Sequence, residues 1–294
     1  MSKAISQSEF SIIPTKSPEK IKMTDNYVFA RDFRDNNRIN LQHYLWIELF
    51  GYHIHPSIPT DHAKLRIADV GTGTGIWLTD LARRLPPSVT LDGLDISFDA
   101  LPPKESLPKN MSLQHWDLLS HEEVPSHLRG VYDIVQMRNF VLVIPDDQIE
   151  SVVRRLVQML KPGGHIQFAE PDMTSWRVET VHPDAKTAAS AALWDIAVAQ
   201  RGSQITPTWT KRLELICAQS GLCDVRCDVR DAPGYMAVAM HEGNLAISEM
   251  IAQKAGSKEW AKGIEELLPE VEREIKDGAF WAWTRWTVVG KLAK

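Results

Sequence analysis

Cysteine is scarce in this sequence, and so are the long apolar runs that mark membrane and secreted proteins. The three cysteines, Cys217, Cys223 and Cys227, are odd in number, and their spacing fits neither a CxxC redox pair nor a zinc knuckle. No apolar stretch approaches the roughly 20 residues that span a bilayer, and the first residues lack the apolar segment of a secretory signal. We therefore expect three reduced thiols in a cytoplasmic protein without a membrane partner.

Clustered positive charge is also missing. Lys and Arg number 33 against 38 Asp and Glu, which gives a net charge of −5 at pH 7. Domains that bind nucleic acid usually carry a clustered basic surface, so we predict no nucleic-acid partner. Hydrophobic residues at 44% and charged residues at 24% are ordinary for a soluble globular protein, and 294 residues suffice for one large domain.

Strand-like and helix-like segments alternate along the middle of the chain. The apolar run LRIADV stops in glycines and is followed by the helical pattern IWLTDLARRL, which Pro86 and Pro87 end. Further strands are predicted at TLDGLDIS, MSLQHWDLL, YDIVQMRN, HIQFAEPD, CDVRCDVRDAP and FWAWTRWTVVGKLA, and a helix is predicted at DQIESVVRRLVQML. This alternation predicts an α/β fold, a doubly wound and mostly parallel sheet of seven strands.

Other helical patterns lie outside this alternation. We predict a flexible polar tail over residues 1–22 and a single domain over residues 23–294. Helical segments within that domain are predicted at about 23–55, 174–210 and 236–276. We expect these N-terminal and inserted helices to form a lid over the ends of the strands.

The strongest chemical signal is the turn after the first strand, with the sequence DVGTGTG from Asp69 to Gly75. A dinucleotide fingerprint requires a third glycine where this chain has Ile76, and the Gly-Lys-Ser/Thr of a phosphate loop does not follow. The turn therefore suits a ligand with a small zwitterionic tail. Gly71, Gly73 and Gly75 let backbone N–H groups approach such a ligand, and Asp69 can answer its ammonium group.

Two more carboxylates end the next two strands. Asp95 lies where an acidic side chain accepts hydrogen bonds from ribose hydroxyls, and Asp117 lies where a carboxylate can accept from an adenine amino group. Asp95 has an alternative role as a helix cap, and after Asp117 the next helix could equally be capped by Ser120 or by Glu122 and Glu123. Together with Asp69, these two carboxylates converge on one crevice of an open sheet, and we predict that the following residues, Ile96 and Leu118, line it as well.

This order of motifs resembles the class I methyltransferases that use S-adenosylmethionine (SAM), over roughly residues 65–172. The stretch NYVFARDFRDNNRINLQHYLW is similar to fungal small-molecule methyltransferases of secondary metabolism, including the gliotoxin thiol methyltransferase, and to the related regulator of secondary-metabolite clusters. The resemblance implies a Rossmann-like fold, SAM as cofactor and S-adenosylhomocysteine as product. It also implies that N-terminal helices close over the cofactor, with contacts from Tyr27, Arg31 and Arg38, and with Gln42 and His43 as further candidates.

The end of the fourth strand is where cofactor and substrate meet in this fold. Asn139 is predicted to lend its backbone carbonyl to the cofactor. Arg138 either acts in the site or pairs with a surface acid. Because the cofactor carries most of the reactivity, positioning is the main catalytic contribution of the protein. Arg138 and His43 are the catalytic candidates, and the alternative for His43 is a hydrogen-bonded histidine under the lid.

Tryptophan is the one residue in excess, with seven of the 10 in the C-terminal half. Such aromatic area suits either a packed core or a pocket for a flat organic substrate. We predict that substrate is contacted by Phe140, Trp176, Trp194, Trp209 and Tyr235. We predict no metal, since no carboxylate or cysteine in the sequence completes a ligand set with His43, His53 and His55.

The resemblance implies methyl transfer to a small fungal secondary metabolite, with a thiol of a gliotoxin-like dithiol as the first candidate acceptor. The lack of an evident Asp/His dyad also favours sulfur, nitrogen or an acidic phenol, because these need little help from a base. Alternatives are O- or N-methylation of another metabolite, ring-forming chemistry without methyl transfer, and a regulator that acts through protein partners.

Overall fold

The computed structural model describes residues 31–255 and 258–294. The predicted tail over residues 1–22, the first part of the predicted lid segment 23–55 and the candidate Tyr27 lie outside these residues and stay predictions. Within the described ranges, none of the helices combines the length and the hydropathy that a membrane crossing requires.

Helices and strands alternate through the described chain. The helices are α1 (Phe33–Phe50), α2 (Ile76–Ala82), α3 (Ile149–Met159), α4 (Ala188–Arg201), α5 (Leu213–Gln219), α6 (Gly234–Ala255) and α7 (Lys258–Lys276). The strands are β1 (Arg66–Val70), β2 (Thr90–Asp95), β3 (Met111–His115), β4 (Tyr132–Arg138), β5 (Leu160–Pro171), β6 (Arg177–Thr180), β7 (Leu222–Arg230), β8 (Ala279–Ala282) and β9 (Arg285–Leu292).

The main sheet has seven strands in the order β3-β2-β1-β4-β5-β9-β7. The neighbours from β3 to β5 pair in parallel, whereas β9 runs antiparallel to both β5 and β7. The predicted doubly wound, mostly parallel sheet is therefore confirmed. The direction of winding reverses between β1 and β4, and a crevice for a ligand forms at the carboxyl ends of the strands at such a point.

The C-terminal segment differs from the prediction, because FWAWTRWTVVGKLA forms two strands instead of one. β8 pairs with β6 in a separate two-stranded sheet, with Val178 opposite Trp281, and β9 joins the main sheet. Alternation of bulky residues continues across both strands, so the sequence pattern does not show where the chain changes sheets. β6 also interrupts the segment 174–210, which was predicted to be helical.

Helix α1 packs at the same end of the sheet as the crevice. The Asp32 carboxylate caps its start by accepting from the backbone N–H of Arg34 and Asp35. Near its C-terminus, Trp46 and Phe50 join a buried cluster with Ala169 of β5 and with Met236 and Met240 of α6. This packing places α1 and α6 beside the carboxyl ends of β4 and β5, and a lid role for them stays a prediction.

Candidate cofactor and acceptor site

The glycine turn between β1 and α2 has the backbone conformation that favours glycine. Gly71, Gly73 and Gly75 have φ angles of +70°, +55° and +70°. Gly71 and Gly73 line a cavity at the ends of the strands, whereas Gly75 does not appear among its described lining residues. A Cβ on Gly75 would instead lie 3.0 Å from Leu101 and 3.1 Å from Met111. Gly75 therefore packs against the core in this geometry, and its role as a cofactor contact stays a prediction.

The backbone N–H groups of the turn are already used within the protein. Gly71 donates to the Leu94 carbonyl at 2.7 Å, and Gly73 donates to Asp95 Oδ2 at 2.9 Å. The expectation that these N–H groups face a ligand is thus corrected, because the turn folds back against the end of β2. What the glycines provide is space, since no Cβ intrudes on the cavity.

Asp69, the last residue but one of β1, is a buried carboxylate on the cavity wall. It accepts a hydrogen bond from Thr72 Oγ1 at 2.9 Å. Burial raises the pKa of Asp69 to about 7, against the lowering effects of Arg138 and Thr72. A cationic ligand group beside this carboxylate would favour its ionised form.

Asp95, the last residue of β2, braces the glycine turn. Besides the bond from Gly73, its Oδ1 accepts from the Ser97 N–H at 3.1 Å. Burial raises its pKa. A carboxylate offers about four lone-pair sites, so Asp95 retains the capacity to accept from ligand hydroxyls. Ile96 lines the cavity next to it.

Asp117 lies two residues beyond β3, which ends at His115 rather than at Asp117 as predicted. Its side chain is exposed, and Oδ1 accepts from the Leu119 N–H at 2.9 Å in a local turn. Asp117 and Leu118 both line the cavity. The structure thus brings the three predicted carboxylates to one cavity, each at or just after the end of its strand.

Two arginines line the cavity wall, Arg31 just before helix α1 and Arg38 within it. Arg38 donates from Nε to Asp35 Oδ1 at 3.0 Å and from Nη1 to Gln42 at 2.9 Å. Asp35 is fully buried and was not among the predicted site residues. Its signal was present, because an acid three residues before an arginine on a helix lies on the same face.

The end of β4 contributes Arg138, Asn139 and Phe140 to the cavity. Asn139 has a φ of +60°, which turns the chain sharply, and its N–H donates to Ala169 at 3.1 Å. Glu170, the last residue but one of β5, points inward, and its two carboxylate oxygens accept from the backbone N–H groups of Phe140 and Val141 at 3.0 Å each. Burial raises the pKa of Glu170 to about 8.

His43 lies outside the cavity lining and is fully buried. Its Nδ1 is 3.1 Å from Arg138 Nη2, and its Nε2 is 3.1 Å from Asp80 Oδ2. Because arginine only donates, Nδ1 accepts and Nε2 carries the proton that Asp80 accepts. Burial and the charge of Arg138 lower the pKa of His43 to about 4. The structure therefore favours the hydrogen-bonded alternative for His43 over the general base.

The prediction of no metal rested on the lack of a carboxylate near the histidines, and that reason is wrong. Asp80 lies beside both His43 and His53, and one ligand atom from each falls within 4.8 Å of the others. Arg83 and Arg84 pair with the second oxygen of Asp80. Hydrogen bonds and arginine charges account for this cluster, and the absence of a metal stays a prediction.

The far end of the cavity is aromatic and apolar. It is lined by Trp194, Trp281 and Trp283 together with Leu142, Met173, Ile205, Met240 and Ile247. The ring centroid of Trp194 lies 5.9 Å from that of Trp281 and 5.7 Å from that of Trp283, in edge-to-face geometry. Trp281, Trp283 and the nearby Arg285 were not among the predicted substrate residues.

The five predicted substrate residues divide into two groups. Trp194 and Phe140 line the cavity, although Phe140 lies over Gly71 on the cofactor side. The other three do not appear among its described lining residues. Trp176 stacks behind Trp194 at 5.0 Å, Trp209 is fully buried with its Nε1–H bonded to Ile144, and Tyr235 is 76% exposed. In this geometry these three lie against a neighbouring ring, in the core or in solvent, and their contact with substrate stays a prediction.

Comparison with known proteins finds similarity over part of this chain. Residues 68–166 match a family model described as a methyltransferase domain. The methyltransferase grgD of a Penicillium species is 36% identical over 154 residues, which cover 49% of this chain and 53% of that protein. The N-methyltransferase verN of Clonostachys rogersoniana is 34% identical over 146 residues, 49% of this chain and 50% of verN. The chain thus spans about half the length of the curated relatives it matches.

A solved structure, that of the cyclase SpnF, aligns with a TM-score of 0.50 at 16% identity, over 87% of this chain and 81% of that chain. This likeness concerns the fold alone. The segment 68–166, which matches the methyltransferase-domain model, contains the glycine turn and the three carboxylates. The fold is the predicted Rossmann-like one, and the methyltransferase activity and SAM as its cofactor stay predictions. The names of the relatives specify no thiol acceptor, so the gliotoxin-like subgroup is not confirmed.

Proposed function

We propose that this protein transfers the methyl group of SAM to a small molecule bound among the tryptophans of the cavity. The observation that carries the proposal is the continuity of one cavity from the carboxylates of Asp69, Asp95 and Asp117 to the rings of Trp194, Trp281 and Trp283. A methyl donor at the first end and a flat acceptor at the second would meet beside Arg138 and Phe140.

The residues at the cofactor end suit the parts of SAM. Asp69 would answer the ammonium group and Asp95 the ribose hydroxyls, and Asp117 would accept from the adenine amino group. The N–H groups of Gly71 and Gly73 are used internally, so the arginines just before and within α1 are the better partners for the ligand carboxylate. Arg31 and Arg38 lie on that wall.

Bound SAM supplies an activated methyl group on a sulfonium, and the protein has to align it with the acceptor and exclude water. Among the described residues that line the aromatic end, Arg285 is the only one with an ionisable side chain, and no histidine or carboxylate is present there. The acceptor atom therefore has to be nucleophilic when it arrives, because no base among the described lining residues at this end would remove a proton from it. An amine, a thiolate or a phenolate meets this condition, and an alcohol does not.

Two acceptor atoms are candidates, sulfur and nitrogen. The resemblance in the N-terminal stretch favours sulfur, as in a gliotoxin-like dithiol. Similarity to verN and to two other fungal proteins named as N-methyltransferases favours nitrogen. Sulfur and nitrogen are both compatible with an acceptor site that lacks a base, and product analysis distinguishes them.

The test is incubation of the full chain with SAM and a panel of amine, thiol and phenol metabolites, followed by mass spectrometry. The proposal predicts one methylated product and one S-adenosylhomocysteine per turnover. A product formed without S-adenosylhomocysteine would indicate ring-forming chemistry instead. SAM binding with no turnover on any acceptor would favour a regulator.

A further inference from the structure

The aromatic end of the cavity contains one positively charged side chain, Arg285. It is the first residue of β9 and lies opposite Pro171 of β5 and Arg230 of β7. This register puts it at the carboxyl edge of the parallel strands, two strands from the end of β4. Its Nη1 donates to the Trp283 carbonyl at 3.0 Å, and its side chain lines the cavity.

The charge of Arg285 is not balanced by a direct partner. None of the ion pairs between described residues includes it. The nearest acid that affects it is Asp231, and this carboxylate is engaged by Arg177 Nη2 at 3.1 Å and by Thr284 Oγ1 at 2.7 Å. Burial lowers the pKa of Arg285 to about 10, so the guanidinium is still charged at pH 7.

A second polar group of the cavity lining is the indole of Trp283. Trp283 is 4% exposed, and its indole N–H has no hydrogen-bond partner among the described residues. A buried donor without a partner costs about 1 to 3 kcal/mol, and a buried charge without a partner costs more. A group of this kind needs a partner, and a bound ligand that supplies an acceptor satisfies it as ordered water would.

We propose that the methyl acceptor carries an anionic oxygen group, of the carboxylate type, which Arg285 binds while the flat body of the molecule lies among Trp194, Trp281 and Trp283. The inference rests on the proposed function, because it concerns the acceptor end of that same site. The planar guanidinium matches two oxygens of one carboxylate, which a point charge does not. The aromatic walls select a flat apolar body, and Arg285 fixes its orientation toward the end of β4.

The experiment compares matched acids and amides on the full chain saturated with S-adenosylhomocysteine. The probes are indole-3-carboxylate with indole-3-carboxamide and 2-naphthoate with 2-naphthamide, and ligand-observed NMR gives their dissociation constants. We expect at least one acid to bind tenfold or more tightly than its amide. Arg285→Gln should remove this preference, and Arg285→Lys should retain part of it.

Arg230→Gln is the matched control, because Arg230 is the register partner of Arg285 on β7 but is not a described lining residue of the cavity. This variant should keep the wild-type preference. If no acid in the panel binds more tightly than its amide, or if the preference survives in Arg285→Gln, the proposal is wrong. The comparison of acid with amide on the wild type tests the proposal even if a variant does not fold. Loss of S-adenosylhomocysteine binding by the wild type would count against the proposed function instead.

Discussion

Arg138 donates from Nη2 to Nδ1 of His43 across 3.1 Å, and this contact joins the end of β4 to helix α1. His43 passes the connection on to Asp80 of α2 through its Nε2–H. One buried imidazole thus links three elements around the cofactor end of the cavity. Because Arg138 also faces the charges of Asp69 and Glu170, the position of α1 is coupled to the carboxylate that would meet the cofactor.

Removal of this imidazole should loosen α1 from the sheet. His43→Ala removes the acceptor of Arg138 Nη2 and one of the donors to Asp80, and it leaves a cavity in the buried contact, for which the expected loss of unfolding free energy is about 2 to 4 kcal/mol. Urea denaturation measures the loss, and calorimetry should show weaker SAM binding. His62→Ala is the control, because His62 is 73% exposed. Equal stability of the two variants would contradict the role assigned to His43.

Acid should destabilise the protein through its buried histidines. Burial lowers the pKa of both His43 and His241 to about 4. The unfolded chain binds these protons below about pH 6.5 and the folded chain does not, so their contribution is fully present above pH 6.5 and is lost as the pH falls toward 4. At pH 5 each histidine should cost about 1 to 2 kcal/mol.

The raised pKa values of Asp69 and Glu170 act in the opposite sense, because they favour the folded state at lower pH. The contribution of each histidine is therefore measured by comparing the acid-induced loss of unfolding free energy in the wild type with that in a histidine variant. Urea denaturation at pH 7 and pH 5 should show a smaller loss of stability in His43→Gln and in His241→Gln than in the wild type. If the wild type and both variants lose the same unfolding free energy between pH 7 and pH 5, the buried histidines are not the source of the acid sensitivity.

SAM binding should strengthen as the pH rises through 7. The pKa of Asp69 is raised to about 7, so most of this carboxylate is protonated at pH 6 and most is ionised at pH 8. Only the ionised form pairs with the ligand ammonium, and we expect an affinity gain of about fivefold to tenfold between these values. Calorimetry on Asp69→Asn, measured in parallel, isolates this effect from the titration of the ligand itself. An identical pH profile in the variant would contradict the pairing.

A side chain at Gly71 should collide with Phe140. A Cβ there would lie 2.2 Å from Cε2 and Cζ of the Phe140 ring, and the φ of +70° is already unfavourable for alanine. Gly71→Ala should lower the unfolding free energy by about 1 to 3 kcal/mol and impair SAM binding. In the double variant with Phe140→Ala, part of the stability should return. If Phe140→Ala does not restore any stability to Gly71→Ala, the contact is not the cause.

The central fold was predictable because its signals are local. Each parallel strand is a short apolar run that ends in a polar or glycine-rich turn, and the carboxylates Asp69, Asp95 and Asp117 mark these ends. The separation of β8 from β9 was not predictable, since one alternating pattern runs through both strands.

The acceptor end was harder to predict because it depends on long-range packing. Arg285 has no motif around it, and it reaches the cavity only because β9 enters the sheet antiparallel beside β5. Trp209 and Trp283 are equally ordinary in the sequence, yet one fills the core and the other lines the cavity. Residue type alone does not distinguish these two environments.

The most direct test of the central claim is a count of S-adenosylhomocysteine per methylated product by mass spectrometry, with SAM and the acceptor panel. We predict one S-adenosylhomocysteine for each methyl group transferred by the wild type, and loss of turnover in Asp95→Ala, which removes the proposed ribose contact. Turnover by the wild type without S-adenosylhomocysteine, or full methyl transfer by Asp95→Ala, would contradict the account.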